Sequence, residues 1–211
     1  FRAEGFKGYK FRVKPCDFME KAKAVKPALG EDVRMMVEWN SGLPNAKAAI
    51  RAIRKLEAFE PAWVENPLPV HMIDGFAEIR SAVDIPISGG EGFSTAWEFK
   101  EAIDRGAFDV VQPDCTHAGI GEARRAAFLA GLKGLPVAPH NWGNAISTAA
   151  NLQVLASIPN HYILEINRTW NHGCPAFREE IVEGAIVPED GYVHVPNRPG
   201  LGIELNERAL A

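Results

Sequence analysis

Hydrophobic positions change their period several times along this chain. Gly8-Tyr9-Lys10-Phe11-Arg12-Val13-Lys14 alternates charged with apolar residues, and Pro15 closes the run. Period two predicts a strand with Lys10, Arg12 and Lys14 on one face. Residues 17–29 read as a helix, with Asp17 as N-cap and Gly30 past the end. A buried strand follows at Arg34–Glu38, then a helix over 45–58. Asn45 is its cap, and Ala49, Ile50, Ile53 and Leu56 fall at helical spacing. The alternation continues with a strand at Trp63–Glu65, a helix around 72–82 and a strand at Ile85–Ser88. Helix 94–105 ends at Gly106, and Phe108–Gln112 is the next strand. Helix 121–132, strand Leu135–Pro139, helix 144–156 and strand Tyr162–Leu164 complete the series. From about residue 170 the chain turns irregular and rich in Pro and Gly, and Pro196–Leu205 ends in a short strand-like piece.

Seven strands joined by helices predict an α/β fold of the parallel TIM-type (β/α) barrel kind, one strand short. No linker or low-complexity tract divides the chain, so residues 1–211 read as one barrel domain with a C-terminal extension from about 170. The chain opens on Phe1-Arg2-Ala3 without Met and runs quickly into a strand, which predicts a fragment lacking its N-terminal part.

Composition narrows the function classes. A 46% apolar fraction supports a sizeable core, and 24% charged residues fit a globular chain. A net charge of −4 gives no reason to expect nucleic acid or an anionic membrane surface as partner. Cys16, Cys115 and Cys174 are odd in number and far apart, which argues against a disulfide framework and predicts a reducing, cytoplasmic setting. No apolar run is long enough to span a membrane, and no signal peptide is legible.

The chemistry gathers at the strand ends. Glu38, Glu65 and Glu91 each follow a short apolar run, 27 and 26 residues apart, about one strand–helix–strand step. In a parallel barrel, successive strand ends stand side by side around one mouth. Three acids there repel unless a cation lies between them, and hard oxygen ligands suit Mg²⁺. For any single Glu, a solvated strand end is the better reading; three in register favour the metal. The later strands end at Asp114, His140 and Glu165. His140 read alone is as easily a satisfied buried histidine, and a Lys/Arg face is common on an edge strand. His117 touches substrate or is a loop residue. Trp39 and Trp142 wall a pocket or pack in the core, and Asn40 supports the metal shell. His71, His161, His172 and His194 read as structural or surface residues.

In this ordered set the sequence resembles the enolase superfamily, in particular its mandelate racemase-like branch. The stretches that carry the likeness are Gly5 to Arg12, VEWN, WVENP, GGEG, QPD, APH, the LE at 164–165 and PNRPGLGIEL. The resemblance implies a barrel domain whose Mg²⁺ ligands are Glu38, Glu65 and Glu91. It implies an Asp114–His140 dyad in which the carboxylate orients and charges the imidazole. Glu165 is implied as the acid that hydrogen-bonds a substrate carboxylate. The family's Lys-x-Lys falls on Lys10-Phe11-Arg12, or two residues on at Arg12-Val13-Lys14. In either frame one Lys is Arg, which stays protonated and is a poor base. The first metal ligand, usually Asp in this branch, is the longer Glu38. Members also carry an N-terminal capping domain, which is not legible here.

The expected reaction is removal of a proton α to a carboxylate, giving an enediolate that a divalent ion stabilises by several kcal/mol. Loss of a β-hydroxyl, protonated by His140, would make it an acid-sugar dehydratase. Return of the proton to the opposite face would make it a racemase or epimerase of a 2-hydroxy or amino acid. The expected partner is a small carboxylate substrate, in a homo-oligomeric protein. A hydrolase is disfavoured, since only His140 qualifies as a histidine ligand. A metal-binding barrel that has lost its base to Arg stands as the non-catalytic alternative.

Overall fold

A computed structural model of the chain describes residues 2–167 and 180–210. The expected change of texture at about 170, with His172 and Cys174, falls outside those residues. Two compact units divide the chain.

The first unit holds the residues up to Gly90 together with Trp97–Val111. It is built on a parallel sheet of β1 (Gly8–Arg12), β2 (Arg34–Glu38), β3 (Trp63–Glu65), β4 (Ile87–Gly89) and β5 (Val110–Val111), in that order across the sheet. The chain between strands forms α1 (Phe18–Leu29), α2 (Ala46–Ile53), α3 (Ile73–Ala82) and α4 (Ala96–Asp104). Strand–helix–strand steps that pair neighbours in sequence give this order directly. Met35, Met36 and Val37 are all buried, as expected of a strand covered on both faces. Asn45 caps α2 by accepting the Ala48 N–H, and Gly30 takes φ 71 after α1. The expected helix 45–58 is α2 extended by a 3₁₀ turn, Arg54–Phe59. Phe76 and Phe108 meet edge to face at 5.2 Å in the core. A side chain at Gly89 would meet the Phe108 ring at 2.7 Å, so glycine is what lets β4 approach that ring.

The second unit holds Glu91–Ala96 and the chain from Gln112 onward. Its main elements are α5 (Cys115–Leu132) and α6 (Ala145–Ala156). The expected start at 121 reflects a break: Gly119, at φ 71 and ψ 163, separates a first turn from the rest of α5. The strands expected at 135–139 and 162–164 do not form. One parallel bridge, Val137 with His161, stands in their place. The Val137 N–H and C=O both face this partner, so the next donor toward it would be residue 139, and Pro139 has no N–H. The sheet therefore has five strands among the described residues, where the pattern predicts seven. A short antiparallel pair, β6 (Val182–Glu183) and β7 (Glu204–Leu205), is what the strand-like end becomes. Ile181 and Val182 pack with Ala145 under it. Among the described residues no helix is long and apolar enough to cross a membrane.

Candidate active site

On the first unit's sheet, parallel register lines up Arg12, Glu38, Glu65 and Ser88 in one row across β1 to β4. In-register residues of parallel strands point to the same face, so their side chains are neighbours by construction. The row two residues earlier holds Lys10, Met36 and Trp63. Glu65 is fully buried and Glu38 is 5% exposed. Such acids need partners, and β1 supplies both cations. Lys10 Nζ lies 2.5 Å from Glu65 Oε1, and Trp63 Nε1 donates to Glu65 Oε2 at 3.1 Å. Arg12 forks onto Glu38, with Nε 3.1 Å from Oε2 and Nη2 3.0 Å from Oε1. Lys14 lies beyond β1; its side chain is exposed and its backbone N–H goes to Asp17.

Two further oxygens stand beside this pair. Ser88 Oγ and Asn66 Oδ1 are buried without a hydrogen-bond partner among the described residues. Asn66 sits at φ 43 directly after Glu65. A set of buried carboxylates with spare neutral oxygens is hard-donor chemistry, and it fits Mg²⁺ or another oxygen-seeking cation. Asn40, expected to support the metal, is exposed. Trp39 belongs to the core, packed edge-on against Phe18 at 5.1 Å.

In the second unit Asp114 caps α5, its Oδ1 accepting the Thr116 N–H at 2.7 Å. Its Oδ2 lies 2.7 Å from His140 Nδ1. Burial pushes the Asp114 carboxyl up, but the hydrogen bonds from His140 and the Thr116 N–H outweigh it and hold the group below its usual range. An ionised Asp114 can only accept, so Nδ1 carries the ring proton and Nε2 is left to act. Nε2 stands 3.4 Å from Glu91 Oε2. Glu91 follows β4 by two residues, and its backbone carbonyl meets His117 Nδ1 at 2.8 Å. Glu165 is held from His140's neighbour: the Asn141 N–H donates to Oε2 at 2.9 Å, and Asn141 Nδ2 donates to the Glu165 carbonyl at 2.8 Å. Burial and the adjacent Asp114 charge push the Cys115 thiol up to about 12, so this cysteine stays protonated and inert.

Glu38 and Glu65 end strands as the pattern predicts, whereas the strands expected before His140 and Glu165 do not form, and the neutral groups around these acids were missed. Trp63, Asn66, Asn141, Ser147 and Asn151 carry no signal in hydrophobic period. The usable clue was a run of polar residues, Asn144, Ser147, Thr148 and Asn151, on one face of a largely apolar helix.

Chemistry-bearing residues that follow successive parallel strands, each strand leading into a helix, define an α/β protein of the barrel class. The chain belongs to the enolase C-terminal domain-like family, whose model matches residues 1–209, and within it to the mandelate racemase-like kind. Over 220 residues it is 33% identical to D-galactarolactone cycloisomerase of Agrobacterium fabrum, covering 99% of this chain and 57% of that protein. It is 31% identical to arabinonate dehydratase of Saccharolobus solfataricus, covering 96% of this chain and 54% of that protein. A crystal structure of a mandelate racemase/muconate lactonizing enzyme from Jannaschia sp. CCS1 superposes with a TM-score of 0.88 at 30% identity, covering 98% of this chain and 56% of that one. The chain spans about half the length of the curated relatives it matches.

Proposed function

We propose that this chain carries the acid–base and metal-holding residues of a lyase that dehydrates an acid sugar. The observation that carries the reading is the Asp114–His140 contact of 2.7 Å, which fixes the ring proton on Nδ1 and leaves Nε2 to exchange protons. Membership of the family and the 31% likeness to arabinonate dehydratase support the substrate class.

Glu38, Glu65 and Glu91 are the residues that would hold Mg²⁺; the first two lie side by side in register, and Glu91 follows the next strand of the same sheet. Bound there, the ion would supply positive charge against the second negative charge that proton loss puts on the substrate carboxylate. We assign Lys10, in its neutral amine form, as the base that would take the α-proton at Nζ. Arg12 stays protonated and contributes charge only. His140 gives its Nε2 proton to the β-hydroxyl, the C–O bond breaks, and water leaves. Glu165, held by the Asn141 N–H, would be the acid that hydrogen-bonds the substrate carboxylate.

An isomerase reading has its own support in the 33% likeness to D-galactarolactone cycloisomerase. A non-catalytic, metal-binding barrel rests on the replacement of one Lys by Arg12. Turnover by the full-length protein separates the three, in D₂O with Mg²⁺ against a library of acid sugars. Loss of water with deuterium in the product is the expected result. Exchange without loss of water would move the assignment to an isomerase. Tight Mg²⁺ binding with no reaction of any acid sugar would overturn the enzymatic reading. The metal ligands are tested separately by calorimetry, where Glu65→Gln should lower Mg²⁺ affinity.

A further inference from the structure

The Asp114–His140 pair has to be built from segments that are poorly tied by backbone. The chain around His140 carries a single bridge, at Val137, and Pro139 has no N–H to extend it. Side chains from α6 supply what the ladder does not. Asn151 is fully buried in the middle of that helix, a position where an amide is a poor helix former and costly to bury unless bonded. Its Oδ1 accepts the Cys115 N–H, next in sequence to Asp114, at 3.0 Å. Its Nδ2 donates to the backbone carbonyl of His140 itself at 3.1 Å. Longer contacts reach Asn141 Oδ1 at 3.4 Å and Ser147 Oγ at 3.5 Å.

From this geometry we infer that Asn151 is a positioning residue, which sets the Asp114 carboxylate and the His140 ring against each other. This rests on the acid–base reading of that pair. One planar amide spans the two ends as a ladder pair spans two strands, donor to one and acceptor to the other. Ser or Thr can also donate and accept, but only through a single oxygen, whereas the amide carries its donor and its acceptor on two atoms. Asp in its place accepts from Cys115 but has no proton for the His140 carbonyl, and it adds a second charge near Asp114. Leu keeps the volume and loses both bonds. Neither residue touches the reacting atoms, so its effect passes through the ring's placement. A misplacement of about 1 Å at a catalytic group costs on the order of 10²-fold in rate.

The test uses the full-length protein with Asn151→Leu and Asn151→Asp, His140→Asn serving to assign the ring signal. The His140 Nδ1–H resonance in ¹⁵N-resolved NMR reports the contact with Asp114 directly, whatever the turnover. Both variants should shift or broaden that resonance. Both should lower kcat by roughly 10²-fold, with KM changing far less. If Asn151→Leu does not fold, Asn151→Asp, which keeps one bond, carries the measurement. A folded variant with the wild-type resonance and wild-type kcat would overturn the inference, and a lowered melting temperature alone would then mark Asn151 as ordinary packing. A lost resonance in Asn151→Leu, together with wild-type turnover by His140→Asn, would leave the positioning role standing and remove the acid–base role of the pair.

Discussion

The two units hold their acids in different ways. On the first unit's sheet, register alone places Glu38 and Glu65, and long cationic side chains from β1 neutralise them. In the second unit, Asp114 is held by a backbone N–H and an imidazole, while neutral amides and a hydroxyl fix the segments around it. The difference follows from the backbone. Where a ladder is continuous, side-chain direction comes free and only charge must be balanced. Where prolines interrupt it, position itself must be supplied by side chains.

Four measurements would break or sharpen this contrast. The largest effect is expected in the second unit. His140→Asn removes the group that Asp114 orients and should cost ~10²–10⁴-fold in turnover, with Mg²⁺ affinity unchanged by calorimetry.

On the sheet, stability should respond first. Lys10 is 15% exposed and Glu65 is fully buried, so Lys10→Met leaves a carboxylate in the interior with its main counter-charge gone. Urea unfolding without metal should show a loss of about 3–5 kcal/mol, and excess Mg²⁺ should restore much of it. Lys14→Met, at an exposed side chain beyond the strand, should change neither stability nor turnover. A loss of turnover in Lys14→Met with Lys10→Met unaffected would move the base two residues on.

Asp114 should leave a smaller, pH-dependent signature. Its folded carboxyl titrates below the unfolded value, so it contributes stability that is present above about pH 4 and is lost as pH falls through the depressed folded value. Asp114→Asn should flatten that part of the curve of unfolding free energy against pH. An unchanged acid limb would separate Asp114 from His140 as an ion pair.

Apart from the Lys14→Met control, the smallest effect belongs to Arg12. Its side chain is 48% exposed, and solvent screens its fork onto Glu38. Arg12→Met should cost no more than about 1 kcal/mol of stability. A loss as large as that of Lys10→Met would show that the two cations are equivalent and that burial does not rank them.

Much of this was legible in the sequence because it is local. The apolar runs that became β2 and β3 end where the pattern ends, at Glu38 and Glu65. Asn45 and Asn144 start helices through bonds to N–H groups two or three residues on. Caps, period and strand length depend on neighbours within a turn or two, and a linear pattern reports them. The order of the charged residues along the chain, from Lys10 to Glu165, is likewise read directly from the sequence. Tertiary structure alone decided that Lys10 reaches diagonally to Glu65 and leaves Glu38 to Arg12. It decided that a single bridge, Val137 with His161, stands where strands were expected, because Pro139 matters only once a partner strand needs its N–H. It also made Asn66 an inside residue and Asn40 an outside one, and it turned Asn151, one of several polar residues in a largely apolar helix, into a link between the segments that carry Asp114 and His140. Those contacts join residues 11 to 55 positions apart. Their energies exist only when the chain has closed on itself, so no local propensity can encode them.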